Sequence, residues 1–348
     1  MLVVIVHTPN YWGFELPHGF LAVDLFFSLS GFVLASAYKN KLETGSISIR
    51  RFFVIRLIRL YPVLLFGMLA SGGIALSGVL IHHNRTLQIV YEYIFATLFG
   101  LFLLPYKISD TNSIFPLNGA IWSLFFEIIA NNLVAIATPF ISKLLTVIIL
   151  IFLAVFLSWA CLSNTGINFG VNWGWISLAG GLARATYGML AGASIYVIHK
   201  KFKVPKLFSS ALFPIAAALL VAVCASPEFT VGFEYFFQIF AVVIIMPSIV
   251  MIAACANTER LRHLMEFSGA ISYPLYVFHG IIIHLFESIR GRNTTSSYPA
   301  TGLLLLLASI SLAYLVDRFY DIPVRGKLRK LLLDKKVTAT SQFSAIKL

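Results

Sequence analysis

Long apolar runs follow one another along this chain of 348 residues, and each is close to the length that crosses a bilayer. A spanning helix needs about 20 predominantly apolar residues. Runs of this kind lie at 19–38, 60–81, 88–104, 120–139, 143–163, 175–198, 208–226, 234–256, 269–289 and 300–320. The pattern predicts an all-α, polytopic membrane helical bundle.

Basic clusters between the runs predict which ends face the cytoplasm. The Lys- and Arg-rich clusters are 39–59, 199–206, 260–263 and 318–336. By the positive-inside rule all four lie on the cytoplasmic side. Five runs separate the first two clusters although an even number of crossings is required, so we expect the short run 88–104 to be re-entrant or interfacial. About ten crossings remain, counting a first helix that looks truncated because only six residues precede His7.

Composition narrows the possible partners. Hydrophobic residues make up 59% of the chain and charged residues 11%, whereas soluble domains carry about 25% charged residues. The net charge of +12 comes without a basic stripe of stacking aromatics, so we expect no nucleic-acid partner. We expect one transmembrane domain, 1–325, a basic cytoplasmic tail, 326–348, and a lipid bilayer as surroundings.

Ionisable and small polar residues within the first runs are candidates for chemistry. His7 can act as a general base near neutral pH, or it can be an interfacial residue without a role. Asp24 lies in an apolar run, where a carboxylate is costly; it either packs against donors between helices or orients the histidine. Ser28, Ser30 and Gly31 give that helix a small-residue face, for close packing or for a thin ligand.

Arginines and later polar residues complete the set of candidates. Arg56 and Arg59 are three apart and share a helix face, where they suit either phosphate binding or anchoring to lipid phosphates. Glu127 and His279 are ionisable residues that each lie deep in an apolar run. The chain contains no HExxH, GxGxxG or P-loop motif. A phosphate-bearing donor therefore has to be held by the arginines, and no metal is expected.

Taken together and in order, these segments resemble the acyltransferase 3 family of bacterial membrane acyltransferases. The matching elements are His7, Ala22–Phe32 (AVDLFFSLSGF), Arg56–Pro62 (RLIRLYP), Asn118–Glu127 (NGAIWSLFFE), Ser272–His279 (SYPLYVFH) and Asp321–Arg325 (DIPVR). Asp321 stands where the family has Glu, so its salt bridge is expected to differ. The matches run from residue 7 to residue 325.

The resemblance implies transfer of an acyl group, most simply acetyl from acetyl-CoA, to hydroxyls of surface glycans or lipid-linked sugars. It implies catalytic roles for His7, Glu127 and Asp24, with Asp24 or Glu127 setting the histidine tautomer. We expect donor-binding roles for Arg56, Arg59, Ser30 and Tyr61. We expect acceptor-binding roles for Trp122, Ser123, Asn118, Tyr273 and His279.

The resemblance also implies a location in the bacterial inner membrane. In the mechanism this predicts, acyl-CoA docks from the cytoplasm and its thin arm passes the Ser30–Gly31 face toward His7. His7 then acts either as the general base or as a transient carrier of the acyl group. Acyl-CoA is then a donor substrate, and no permanently bound cofactor is expected. The alternative is an exporter of polysaccharide or lipid that has polar groups along a path but transfers no acyl group.

Overall fold

A computed structural model describes residues 1–81, 87–163, 166–202, 206–290 and 299–334, and most of this part is helical. The helices are α1 Leu2–Val6, α2 Ala22–Glu43, α3 Ile49–Ile81, α4 Leu87–Leu101, α5 Ile121–Ala137, α6 Lys143–Ser163, α7 Trp175–His199, α8 Lys206–Cys224, α9 Val231–Phe240, α10 Met246–Ala254, α11 Arg262–Arg290, α12 Ala300–Leu315 and α13 Ile322–Arg329. The described residues contain no strand, only isolated bridges. The predicted all-α membrane bundle is confirmed.

Within the described ranges, six helical stretches are long and apolar enough to cross a membrane. They are Gly19–Glu43, Ile49–Val79, Lys143–Ser163, Val231–Ala254, Glu259–Ser288 and Ala300–Leu333, and the shorter apolar helices are Leu87–Leu101, Ile121–Ala137 and Ser209–Cys224. The protein is therefore a multi-pass membrane protein. The count of ten crossings stays a prediction, as does the non-spanning 88–104 segment. Helix α4, with 15 residues, is about 22 Å long and shorter than the bilayer core.

Glycines bring α2 and α7 close together at the centre of the bundle. A Cβ atom at Gly31 would fall on the backbone of Met189, and one at Gly192 would fall on the carbonyl of Ser28. Such seams let two backbones approach without side chains between them. Ser28 and Gly31 of the small-residue face thus pack against α7, whereas Ser30 of the same face lines a cavity.

Two loops fold against each other at one end of the bundle. The Ile114 amide donates to Val171 O at 2.9 Å, and the Trp173 amide donates to Asn112 O at 2.9 Å. The Glu92 carboxylate accepts hydrogen bonds from the Ser109 hydroxyl and amide, which hold the pKa of Glu92 below its ordinary value. The polar loop before α5 is therefore fixed in place.

The last helix continues into the segment that the sequence predicts to be a basic cytoplasmic tail. A π-helical stretch, Val316–Asp321, joins α12 to α13, and a second one, Lys330–Asp334, follows α13. Arg325 binds Asp321 at 2.8 Å and Asp317 at 3.3 Å, so Asp321 forms an ion pair within its own motif. The predicted tail is helical up to residue 334, and its remainder, 335–348, lies outside the described residues.

Candidate active site

Two adjoining cavities bring most of the candidate residues together in the described part of the chain. The first, here called the arginine cavity, has a volume of about 180 Å³ and is lined by Arg56, Arg59, Glu127, Ser30, Ser123 and Tyr273 among others. The second, the histidine cavity, has a volume of about 490 Å³ and is lined by His7, His279, Asn118 and Trp122 among others. Val23, Phe26, Ser272 and Tyr276 line both cavities, so the two meet at this shared wall.

Three helices converge on the carboxylate of Glu127 in the arginine cavity. Ser30 of α2 donates its hydroxyl to Glu127 Oε1 at 2.7 Å, and Arg56 Nη2 of α3 lies 3.1 Å from the same oxygen. Arg56 is 7% exposed, and a buried guanidinium requires a counter-charge. Glu127 supplies that charge and fixes the position of Arg56.

Both arginines keep donors that no protein group uses. The buried Nε of Arg56 has no hydrogen-bond partner among the described residues. Arg59, one turn further along α3, lines the cavity and forms no ion pair within the described ranges. Buried donors are rarely left unsatisfied, and guanidinium groups match carboxylate and phosphate oxygens well. The arrangement is suited to an anionic ligand.

Tyrosine and serine hydroxyls also line the arginine cavity. Tyr273 donates its hydroxyl to Leu60 O at 2.6 Å, and Tyr276 and Ser123 share a hydrogen bond of 2.6 Å. Ser123 and Tyr273, which we expected beside the acceptor, line the arginine cavity and not the histidine cavity. Tyr276, which was not among the predicted residues, stands in the shared wall.

Tyr61 lies away from both cavities. Its hydroxyl donates to Leu101 O at 2.8 Å, which ties α3 to the end of α4. Its ring lines a separate apolar groove with Phe102 and Phe125. The structure therefore does not support the predicted donor-binding role, and Tyr61 acts as a packing residue.

The two histidines of the second cavity contact each other edge to face, with ring centroids 4.9 Å apart. His7 Nδ1 lies 2.8 Å from Val3 O, and His279 Nδ1 lies 2.6 Å from Tyr276 O. An Nδ1–H that donates to a backbone carbonyl leaves Nε2 with the lone pair in the neutral ring. His279 is buried while His7 is exposed, so the Nε2 of His7 is the more accessible base.

Asp24 forms a buried ion pair with Arg184 of α7. Arg184 donates to both carboxylate oxygens, through Nε at 3.0 Å and Nη2 at 2.5 Å, and also to Phe169 O at 3.3 Å. The two side chains are 2% and 1% exposed. The expectation that Asp24 or Glu127 sets the histidine tautomer does not match these contacts, because each carboxylate binds an arginine and backbone carbonyls hold the rings.

Arg184 is the residue that sequence reasoning missed. It lies inside the apolar run 175–198, and its guanidinium also stands over the Trp122 ring at 5.6 Å. A charged residue in a spanning run is by default a candidate for a specific role. The same argument that selected Asp24 would have selected Arg184.

Asn118 holds the polar loop to the bundle. Its side-chain nitrogen donates to Ser71 Oγ at 3.2 Å and to Val277 O at 3.1 Å, while its side-chain oxygen accepts from the Ala120 amide at 3.2 Å. These bonds use the amide in joining α3, α5 and α11. Asn118 therefore shapes the wall of the histidine cavity, and the structure gives its amide a structural role.

Comparisons with known proteins identify the family of the chain. The family model described as "Acyltransferase domain", of the acyltransferase 3 family, matches residues 1–318. The chain belongs to this family, and the protein is a membrane-embedded acyltransferase. No solved structure matches the chain significantly.

Curated relatives match parts of the chain. "Protein 2 in picA locus" of Rhizobium radiobacter is 38% identical over 148 residues, which cover 39% of this chain and 74% of that protein. "Putative O-acetyltransferase SACOL0978" of Staphylococcus aureus (strain COL) is 30% identical over 131 residues, 36% of this chain. The match covers 20% of the staphylococcal protein's length, so the rest of that protein has no counterpart in the alignment.

Proposed function

We propose that this protein transfers an acetyl group from cytoplasmic acetyl-CoA to a hydroxyl of a surface polysaccharide or glycolipid. The observation that carries the proposal is the junction of the two cavities: partly unpaired arginines line one, two histidines line the other, and they share a wall. Family membership supports acyl transfer, and the names of the staphylococcal relatives support an oxygen acceptor and an acetyl group. Nothing in these matches favours the exporter alternative.

On the donor side, Arg56 and Arg59 hold phosphate oxygens of the CoA. Glu127 keeps Arg56 in place and offsets its positive charge within the ion pair. Arg59 has no such ion pair among the described residues, so it contributes more of the positive charge that attracts phosphate. The arginine cavity has a volume of only about 180 Å³, which suits the unbranched pantetheine arm better than a sugar. The arm passes Ser30 and reaches the shared wall, so the thioester is presented to the histidine cavity.

The transfer step is a nucleophilic attack on the thioester. The neutral imidazole of His7 takes the proton of the acceptor hydroxyl at Nε2 as the oxygen bonds to the acyl carbon. The carbon–sulfur bond then breaks, and the CoA thiolate takes up the proton from the imidazolium. The ester and free CoA are the products, and His7 returns to its starting state.

His279 acts as a positioning residue for His7 in this scheme. It packs edge to face on the His7 ring, and its own ring is fixed by the carbonyl of Tyr276. The contact restricts the orientation of His7, which matters because proton transfer requires hydrogen-bond reach of about 2.6–3.2 Å.

The arrangement of basic residues supports a bacterial inner-membrane location with the donor on the cytoplasmic side. Arg59 of α3 and both Arg325 and Arg329 of α13 line one basin, so two of the basic clusters lie at the same end of the bundle. By the positive-inside rule this end faces the cytoplasm, together with the C-terminal end of the described chain.

The test is transfer of labelled acetyl from acetyl-CoA into surface glycan in bacterial membranes that contain the protein. Wild type is expected to label glycan, and His7→Gln at equal abundance is expected to lower the label by at least about 100-fold, the lower end of general-base contributions. The control Lys200→Gln changes an exposed lysine that stacks on Tyr196, and it should behave as wild type. Labelling that survives His7→Gln would contradict the assigned base.

A further inference from the structure

A third cavity adjoins the donor site at the basic end of the described bundle. This basic basin has a volume of about 740 Å³, which lies inside the range of about 300–1,000 Å³ common for ligand sites. Its charged lining residues are Lys41, Arg51, Arg59, Arg325 and Arg329. Lys41 comes from the end of α2, Arg51 and Arg59 come from the first three turns of α3, and the other two arginines come from α13. The fold therefore assembles a charged site that no single sequence motif contains.

The charges of the basic basin are mostly uncompensated. Asp317 and Asp321 neutralise Arg325, and no acidic residue lines the basin within the described ranges. Arg51, Arg59 and Arg329 form no ion pair in the described part of the chain. The ammonium group of Lys41 lies over the Tyr38 ring, a contact that leaves its charge uncompensated. Several like charges around one concave surface concentrate a positive potential there, which favours a multiply charged anion.

Arg59 connects this basin to the arginine cavity because it lines both. A ligand that fills the two cavities together needs a wide, polyanionic end and a thin, weakly polar arm. Acyl-CoA has this shape: a nucleotide with a diphosphate and a ribose 3′-phosphate at one end, and the thioester at the end of a narrow chain.

We infer that the basic basin binds the phosphorylated nucleotide end of the acyl donor, with the ribose 3′-phosphate at Arg51 and Arg329. Arg59, at the junction, then serves the diphosphate, and Lys41 adds charge at the rim. This inference rests on the proposed function, and it adds a specific recognition of the 3′-phosphate that acyl transfer itself does not require. The same residues could instead meet phosphate groups of lipids, so the experiment separates the two sources.

The test compares binding of CoA and 3′-dephospho-CoA to the full chain, purified in an uncharged detergent, by isothermal titration. Charge-assisted hydrogen bonds are the strong ones, so we expect wild type to bind CoA at least about tenfold more tightly than 3′-dephospho-CoA. Arg51→Gln and Arg329→Gln should each weaken CoA binding severalfold and leave the affinity for 3′-dephospho-CoA nearly unchanged.

Neighbouring residues supply matched controls. Arg50 and Lys330 are exposed, carry the same charge and stand next to Arg51 and Arg329 in sequence, but do not line the basin. Arg50→Gln and Lys330→Gln should keep the preference for CoA. A loss of preference in the controls equal to that in the basin variants would overturn the inference, because it would show a general effect of surface charge.

Three further outcomes would also overturn it. Equal affinity of wild type for CoA and 3′-dephospho-CoA, with acetyl transfer intact, would remove the 3′-phosphate site and leave the proposed function standing. Binding of neither compound would remove the donor assignment and this inference with it. If the basin variants instead lose stabilisation by phosphatidylglycerol nanodiscs relative to phosphatidylcholine ones and keep the CoA preference, the basin holds lipid phosphates.

Discussion

Arg184 determines what Asp24 can do in this molecule. A lone carboxylate or guanidinium in a spanning helix is expensive, and each side chain here removes that cost from the other through two hydrogen bonds. The pair also fixes α7 against α2, beside Trp122 and the cavities. Asp24 thus supports the site by positioning a helix, at a distance from the reacting atoms.

Loss of one partner of this pair should be severe. Asp24→Asn leaves Arg184 buried without its counter-charge, and breaking a buried pair in this way costs about 3–5 kcal/mol. We expect a marked drop in the midpoint of thermal unfolding in detergent. The double variant Asp24→Asn/Arg184→Gln should be more stable than the single variant, since no charge remains uncompensated. Unfolding of Asp24→Asn at the same temperature as wild type would contradict the assignment of a buried Asp24–Arg184 ion pair.

The sequence flags single residues better than it pairs them. His7 and its carbonyl partner Val3 are four residues apart, so that contact is local and within reach of helix geometry. Asp24 and Arg184 are 160 positions apart, and their pairing depends on how two helices cross. Tyr61 follows Arg59 by two positions and therefore lies on another face of α3, although the family motif lists them together.

Helix α2 packs on α7 through a seam that admits no side chain at Gly192. A Cβ there would collide with the backbone at Ser28 and Phe32, which cannot move aside as a flexible side chain could. The same seam sets the depth of Ser30 and therefore its contact with Glu127. Gly31 and Gly192 therefore allow the backbones of α2 and α7 to approach each other, and neither forms a turn.

Alanine substitutions at two glycines should therefore have different effects on the stability of the protein. Gly192→Ala overpacks the seam and should destabilise the protein by about 1–3 kcal/mol, with loss of monodisperse protein after extraction. Gly73→Ala, on the exposed face of α3 where a Cβ meets nothing within 4 Å, should be neutral or stabilise by up to about 1 kcal/mol. Apparent melting temperatures of the two variants check this, and equal effects would contradict it.

Hydropathy predicts most helices but not where the last one ends. The run 175–198 matches α7, Trp175–His199, within a residue at each end. The run 300–320 ends where Asp317, Arg318 and Asp321 begin to lower the hydropathy, yet the helix continues to residue 334. Ion pairs from Arg325 to the two aspartates satisfy those charges within the helix, which hydropathy alone cannot show.

Across the whole molecule, the arginine cavity lies between the basic basin and the histidine cavity and shares lining residues with each of them. The sequence predicts the two ends, because Arg56 and Arg59 share a helix face and His7 is isolated in its run. It does not predict on which side Ser123 and Tyr273 fall, since the order of motifs along the chain carries no information on depth. The structure places both hydroxyls in the wall of the arginine cavity.

The central claim is that donor binding and proton transfer occupy separate, adjoining cavities. The most direct measurement combines CoA titration with acetyl transfer for wild type, Arg59→Gln and His7→Gln. The account predicts that Arg59→Gln binds CoA at least about tenfold more weakly, as for a lost charge-assisted contact. It predicts that His7→Gln binds CoA like wild type but transfers almost nothing. Normal CoA binding by Arg59→Gln, or transfer by His7→Gln, would contradict it.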